Sequence, residues 1–134
     1  MAIQSSKTTR KFSDIDLDFI PHPISGDIIP LEDSDSVKRS IRNLMFTGLY
    51  ERPFNPNLGA NLKQLLFENI TPITQISIRS LITDIVRIYE PRATILELQV
   101  SVSEDELGYN VYMMFAIDNT SEVSTVDLFL ERLR

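Results

Sequence analysis

The chain has 134 residues, 43% of them hydrophobic, a formal net charge of −6, a single histidine and no cysteine. This length suits one core of ordinary size; the acidic balance argues against nonspecific nucleic-acid binding through a basic surface; and the missing thiols exclude a disulfide framework or a thiolate zinc site. His22 cannot build a multi-histidine metal site and leaves little for triad chemistry, no apolar run approaches the ~20 residues of a membrane span, and residues 1–6 lack the apolar centre of a signal peptide. We therefore expect a chain made and folded in a cytoplasm, with no cofactor, no metal, no membrane and no nucleic-acid partner.

Residues 1–12, rich in Ser, Thr, Gln and Lys, read as a mobile arm. Lys7, Arg10 and Lys11 there precede an acidic run of Asp14, Asp16, Asp18, Asp27, Glu32, Asp33 and Asp35. A basic arm of this kind could meet an acidic partner, although a solvated terminus accounts for it as simply. Ile15, Leu17 and Phe19 alternate with Asp14, Asp16 and Asp18, the pattern of a short strand with one wet face or of an extended segment laid along a partner. Pro21, Pro23, Gly26 and Pro30 should then interrupt regular structure. We place an arm and extended segment at residues 1–35 and a single domain at 36–134.

The first helix should start near Ser34 or Asp35, either of which can cap orphan backbone N–H groups. Val37, Ile41, Leu44 and Met45 form one apolar stripe, and Gly48 is the expected stop. Lys38, Arg39 and Arg42 lie off the stripe, on a solvated face or opposite an acidic partner. A loop marked by Pro53 and Pro56 leads to a short helix carrying Leu62, Leu65 and Leu66 on one side. Thr71-Pro72 reads as an N-cap followed by proline at the first helical position. The third helix holds Ile78, Leu81, Ile82, Ile85, Ile88 and Tyr89 at helical spacing until Pro91 ends it, with Glu90 pushed towards an extended conformation.

Beyond Pro91 the period changes to two. Leu96, Leu98, Val100 and Val102 alternate with Glu97, Gln99, Ser101 and Ser103, a half-buried strand. A turn at residues 104–108 precedes Val111, Met113, Phe115 and Ile117, interleaved with Tyr112, Met114 and Ala116, so that strand is apolar on both faces. After Asp118, Asn119, Thr120 and Ser121 come Val126, Leu128 and Leu130 against Asp127, Phe129 and Glu131. The expected fold is α+β, about three helices packed on a three-stranded antiparallel β-meander.

Two clusters draw attention. In Glu90-Pro91-Arg92 the proline stiffens the helix exit, and in extended chain residues two apart project to one side. Glu90 and Arg92 would then form a fixed acid–base pair at a corner, able to grip a carboxylate, or simply a local ion pair at a helix terminator. Glu51-Arg52-Pro53-Phe54 reads as a recognition loop with Phe54 anchored in the core or in a partner pocket, or as a loop in which Phe54 is only a plug and Arg52 a surface charge or a partner for Glu68.

In order, Ile41-Arg42-Asn43-Leu44, Glu51-Arg52-Pro53-Phe54-Asn55-Pro56, Gly59, Leu62, Leu65-Leu66-Phe67-Glu68 and Glu90-Pro91-Arg92 ahead of a strand pair resemble the baseplate-wedge, or sheath-initiator, family of T4-like contractile phage tails and related injection machines, including type VI secretion baseplates. The resemblance spans roughly residues 36–134. It implies a structural virion protein of the tail baseplate, joined to the helical core bundle of the wedge around the tail tube and templating the first sheath ring. It also implies that Glu90, Pro91 and Arg92 carry attachment within the wedge and that sheath subunits connect through exchanged β-strands. The terminal strand around 125–131 suits that mode, since a sheet edge offers unpaired main-chain groups to an incoming strand. Asp127, Glu131, Arg132 and Arg134 would discourage wrong pairings, while Phe129 would pack under the helices or wait for a partner. The partner-binding candidates are thus Glu51, Arg52, Phe54, Glu90, Pro91, Arg92, Asp127, Phe129 and Glu131.

A lysozyme-type glycosidase is the rival reading. It needs two carboxylates about 5–10 Å apart, one with a raised pKa, and Glu51, Glu68 and Glu90 are the candidates. The absence of tryptophan and the arginines beside Glu51 and Glu90 argue against it.

Overall fold

The computed structural model describes residues 12–118 and 122–132. The expected basic arm with Lys7, Arg10 and Lys11, the turn residues Asn119, Thr120 and Ser121, and Arg134 lie outside the described residues. The order of elements is β1 (Ser13–Ile15), β2 (Pro30–Glu32), α1 (Asp33–Phe46), α2 (Leu62–Leu66), α3 (Pro72–Tyr89), β3 (Ala93–Val102), β4 (Gly108–Ile117) and β5 (Val123–Glu131). The last three form an antiparallel sheet in the order β3-β4-β5, and β1 pairs antiparallel with β2 in a separate ribbon. Three helices on a three-stranded meander make the α+β architecture expected from the sequence.

The core forms where the two hydrophobic periods meet. Val37, Ile41, Leu44 and Met45 of α1, Leu62 and Leu66 of α2, and Ile78, Ile82, Ile85 and Val86 of α3 are buried against Leu98, Val111, Met113, Phe115, Ile117, Val126, Leu128 and Leu130 of the sheet. Thr71 caps α3, its hydroxyl accepting the Thr74 N–H at 3.2 Å, with Pro72 at the first helical position where a missing donor costs nothing.

Four local expectations are revised. First, β1 is only three residues long, and the alternation of 14–19 is turned the other way. Ile15, Leu17 and Phe19 are exposed, whereas Asp14 and Asp16 reach side chains of α1. Second, proline does not end regular structure at residue 30, because Pro30 opens β2, a position where strands tolerate a missing donor. Third, α1 starts at Asp33, after Glu32, and neither Ser34 nor Asp35 caps it. Asp33 adopts φ 47; its N–H donates to the Phe12 carbonyl at 2.7 Å and its Oδ1 accepts the Phe12 N–H at 3.1 Å. The helix start is thus tied to the preceding segment rather than capped from within. At the other end Thr47, not Gly48, closes α1, its N–H and hydroxyl both donating to the Asn43 carbonyl. Fourth, a register shift between Ile95 and Glu97 inserts one extra residue into β3. Leu96, expected on the buried face, is that residue and is exposed. The bulge lets Ala93 and Ile95 share the core side with Leu98 and Val100 despite the odd spacing.

β4 and β5 pair without interruption from Gly108↔Glu131 to Ala116↔Val123. They pass close together at Gly108, where a methyl group would run into the Leu130 carbonyl and the tip of the Phe129 ring. An aromatic laid over a cross-strand glycine supports register in this way. Gly108→Ala should destabilise the fold by about 1–3 kcal/mol, the usual range for forced overpacking, read as a lower midpoint in thermal or urea unfolding.

Candidate functional site

The sequence places a stiff exit after α3, and the structure turns that exit inward. Glu90 closes the helix with φ −127 and ψ 69, and its side chain is almost fully buried, with the whole residue 2% exposed. Arg92 answers with a two-pronged grip: Nε lies 2.5 Å from Oε1 and Nη2 lies 2.8 Å from Oε2 of Glu90. The remaining nitrogen faces α1 and β1. Nη1 donates to the Ser36 hydroxyl at 3.4 Å and sits 3.7 Å from Asp14 Oδ2, which itself accepts the Ser36 hydroxyl at 2.6 Å. The Phe12 ring covers the guanidinium at 5.2 Å. The Glu90 hydrogen bonds push the Arg92 pKa further up, with a smaller contribution from Asp14. The two residues do form the expected acid–base pair, and it also fastens the end of α3 to the start of α1 and to the N-terminal ribbon.

The second cluster behaves differently. Glu51 is bound by Lys63 at 2.6 Å, and that hydrogen bond, followed by one from the Gly48 backbone, holds its carboxyl below the usual carboxylate range. Arg52 has no ion pair among the described residues, so Glu68 is not its partner. Phe54 is fully exposed and plugs nothing in the core. The loop is nonetheless shaped: Tyr50 N–H donates to the Pro56 carbonyl at 2.8 Å and Asn55 N–H to the Arg52 carbonyl at 3.2 Å. Tyr89, last residue of α3, anchors it through its hydroxyl to the Asn57 carbonyl at 2.6 Å. A groove of about 460 Å³ runs between the ribbon, α1 and this loop, with Ile15, Leu17, Leu44, Leu58 and Tyr89 as apolar walls and Asp14 and Arg52 at its margin. Of the two clusters only Arg52 lines this groove; Glu90 and Arg92 stand behind it, next to its lining residues Tyr89 and Asp14.

The third candidate surface is the free side of β5. Main-chain bonds from Arg132 to the Leu107 carbonyl and from Ile117 to the Glu122 carbonyl fix the phase of the β4–β5 ladder. Because antiparallel bonds alternate along a strand, Ser124, Val126, Leu128 and Leu130 spend theirs on β4. Thr125, Asp127, Phe129 and Glu131 point their main-chain groups at the open edge, and their side chains face away from the helices. Phe129 is 48% exposed, so it does not pack under the helices. A groove of about 370 Å³ separates this edge from α1 and the ribbon. Within it Arg39 joins Asp16 at 3.1 Å and Asp18 at 2.7 Å.

Sequence reasoning missed Phe12, Asp14 and Ser36 as parts of the Arg92 site. Ser36 is completely buried, and a serine in the first turn of a helix carries no signal for that.

The family model described as baseplate wedge protein gp25 matches residues 31–123 of the chain. The chain belongs to this family. Baseplate wedge protein gp25 of Enterobacteria phage T4 is 35% identical over 96 residues, which cover 71% of this chain and 73% of that protein. The match makes this chain a baseplate protein of the contractile-tail kind. Among solved structures, a Geobacter sulfurreducens protein described as a candidate tail lysozyme superposes with a TM-score of 0.68 at 20% identity, over 73% of this chain and 89% of that one. A chain of the anti-feeding prophage baseplate gives 0.65 at 18%, over 92% and 88%. One from the type VI secretion baseplate complex gives 0.60 at 14%, over 74% and 93%. These three likenesses concern the fold. The family match begins at residue 31, so most of the ribbon that covers Arg92 lies before it.

Arg92→Ala would strand a buried carboxylate. We expect a loss of about 3 kcal/mol of folding stability, in the range for breaking one side of a buried pair. Replacing both Glu90 and Arg92 with methionine should cost clearly less than the single change. Urea unfolding of the Arg92→Ala variant and the double variant measures the difference.

Proposed function

We propose that this baseplate protein is a non-enzymatic connector, which docks onto the core bundle of the wedge around the tail tube and offers the β5 edge to a strand of the first sheath ring. Residues 36–134 form the domain that carries this role, and the protein is made in the host cytoplasm before joining the virion. The observation that carries the reading is the phase of β5: the residues whose side chains face outward, Asp127, Phe129 and Glu131, are the ones whose main-chain groups face the open edge. An edge arranged like this can take a further strand without breaking any bond within the sheet. Docking on the wedge is assigned to the groove beside the 51–54 loop. Arg52 and Phe54 are free to touch a partner there, while Glu90, Pro91 and Arg92 hold α3, α1 and the ribbon in the arrangement that builds the groove. The partly exposed Arg92 and the fixed Glu51 lie next to that surface and are available to the same partner.

The glycosidase reading gains no support from its three acids. Glu51 is paired with Lys63, Glu90 is buried in its bond to Arg92, and Glu68 lies exposed at the end of α2. The arrangement of a protonated acid facing a second carboxylate is not built from them.

Two substitutions separate the proposed surfaces. Asp127→Pro removes a donor from the open edge but none from the β4–β5 ladder, and edge strands accept proline there. Baseplates should form normally with this variant, and sheath polymerisation on them should drop at least about tenfold, the loss of an interaction of only ~1.4 kcal/mol. Normal sheaths counted by electron microscopy would remove the strand-addition role. Arg52→Glu combined with Phe54→Ser should keep the melting temperature but reduce incorporation into wedges in a pull-down against purified wedge subunits. Undiminished incorporation would discard the loop as a docking element.

A further inference from the structure

We propose that the strand accepted by β5 carries basic residues two positions to either side of an apolar residue on its outer face, with apolar residues between them facing α1. This rests on the strand-addition reading and specifies the chemistry of the partner. The outer row of β5 reads Thr125, Asp127, Phe129, Glu131. On β4 the residues opposite the last three are Tyr112, Asn110 and Gly108, none of them charged. Neither Asp127 nor Glu131 has a salt bridge or side-chain hydrogen bond among the described residues. The next cation along the chain, Arg132, is engaged elsewhere, its Nη2 at 3.2 Å from Asn69 Oδ1. Cross-strand pairs are the unit of sheet stabilisation, and opposite charges placed across from each other are favourable. On their β4 side these two carboxylates have no such neighbour. Of the cations that share a groove with Asp127, Lys38 pairs with Asp35, Arg39 with Asp16 and Asp18, and Arg42 forms no salt bridge with it, so a strand on the open edge can supply that neighbour.

Phe129, between them, offers a half-exposed ring to an apolar residue opposite. On the inner side the groove sets Leu31, Val126 and Leu128 among the charged residues Asp16, Asp18, Asp35, Lys38, Arg39 and Arg42. Apolar side chains there meet the three apolar walls and the stems of the cations. The same row excludes a second copy of this chain as the occupant. It contains no cation, so antiparallel self-pairing centred on Phe129 would set Asp127 against Glu131, and other registers set acids against acids or neutral residues. Like charges directly opposite are unfavourable, so the row resists self-association while it selects a basic partner.

The test uses two synthetic peptides matched in length to the nine residues of β5. One is Thr-Val-Lys-Val-Phe-Val-Lys-Val-Thr, and the other has glutamate in place of both lysines. Each is titrated into the intact protein, with affinity and amide exchange at 125, 127, 129 and 131 read by NMR. We expect the lysine peptide to bind about tenfold more tightly, the size expected when two cross-strand pairs change sign, and to protect those amides. Asp127→Lys combined with Glu131→Lys should reverse the preference. Asp27→Lys combined with Asp84→Lys, an equal change of net charge on exposed residues elsewhere, should not.

Equal affinities for the two peptides, or a preference that follows net charge in the control variant, would overturn the charge pattern while amide protection keeps strand addition alive. Binding of neither peptide, or binding without protection of these amides, would overturn strand addition and this inference with it. Self-association of the protein that Asp127→Lys and Glu131→Lys abolish would make a second copy the occupant and overturn the proposal.

Discussion

The arrangement of this molecule depends on one buried ion pair. Glu90 is enclosed at a point where α3, α1 and β3 converge, and an isolated carboxylate there would be costly. Arg92 makes the position tenable because its planar fork satisfies both carboxylate oxygens and still has a nitrogen for Ser36 and Asp14. A lysine could not span these partners, having a single point of charge. Proline between the two removes the conformational freedom that would let them separate. The result is a junction: the helix layer, the entry to the sheet and the N-terminal ribbon all meet around one guanidinium, with Phe12 stacked on its face.

That junction explains how a small domain can keep two surfaces in fixed relation. One lies along the groove beside the 51–54 loop, and the other is the open edge of β5. They are connected through α1, whose sides contribute to both grooves. Buried ion pairs add less to net stability than their geometry suggests; here the pair fixes where elements sit. A protein whose task is to hold neighbours in position needs that more than it needs a larger stability margin.

The elements themselves were legible in the sequence because each follows a local rule. The α3 stripe with its Thr71-Pro72 start and the alternation of Val126, Leu128 and Leu130 translate directly into structure. The candidate surfaces were legible in part: Asp127, Phe129 and Glu131 fell on the outer face because strand parity dictates it. What could not be read depends on contacts distant in sequence. Leu96 looks like one more core residue until the register of β4 forces a bulge. Asp14 and Ser36 look like a surface acid and a helix-start residue until Arg92 arrives from 56 positions downstream of Ser36. The inverted segment at 14–19 defeats the hydrophobic rule for the same reason: three aspartates find arginines on elements the local window does not contain, and that turns Ile15, Leu17 and Phe19 outward.

The two arginine sites also differ in how far solvent reaches them. The arginine side chains are exposed alike, 22% for Arg39 and 26% for Arg92, but Glu90 is sealed at 3% whereas Asp16 and Asp18 are reached by water at 18% and 59%. Mobile ions screen charges at such a surface over a Debye length of about 8 Å at physiological ionic strength, and a buried pair far less. Raising the salt concentration therefore weakens the contacts of Asp16 and Asp18 with Arg39, and of the exposed Asp14 with Arg92, more than it weakens the bond between Arg92 and Glu90. As ionic strength rises, the hold of the ribbon on α1 comes to rest more on the backbone bond from Asp33 N–H to the Phe12 carbonyl, which mobile ions do not screen.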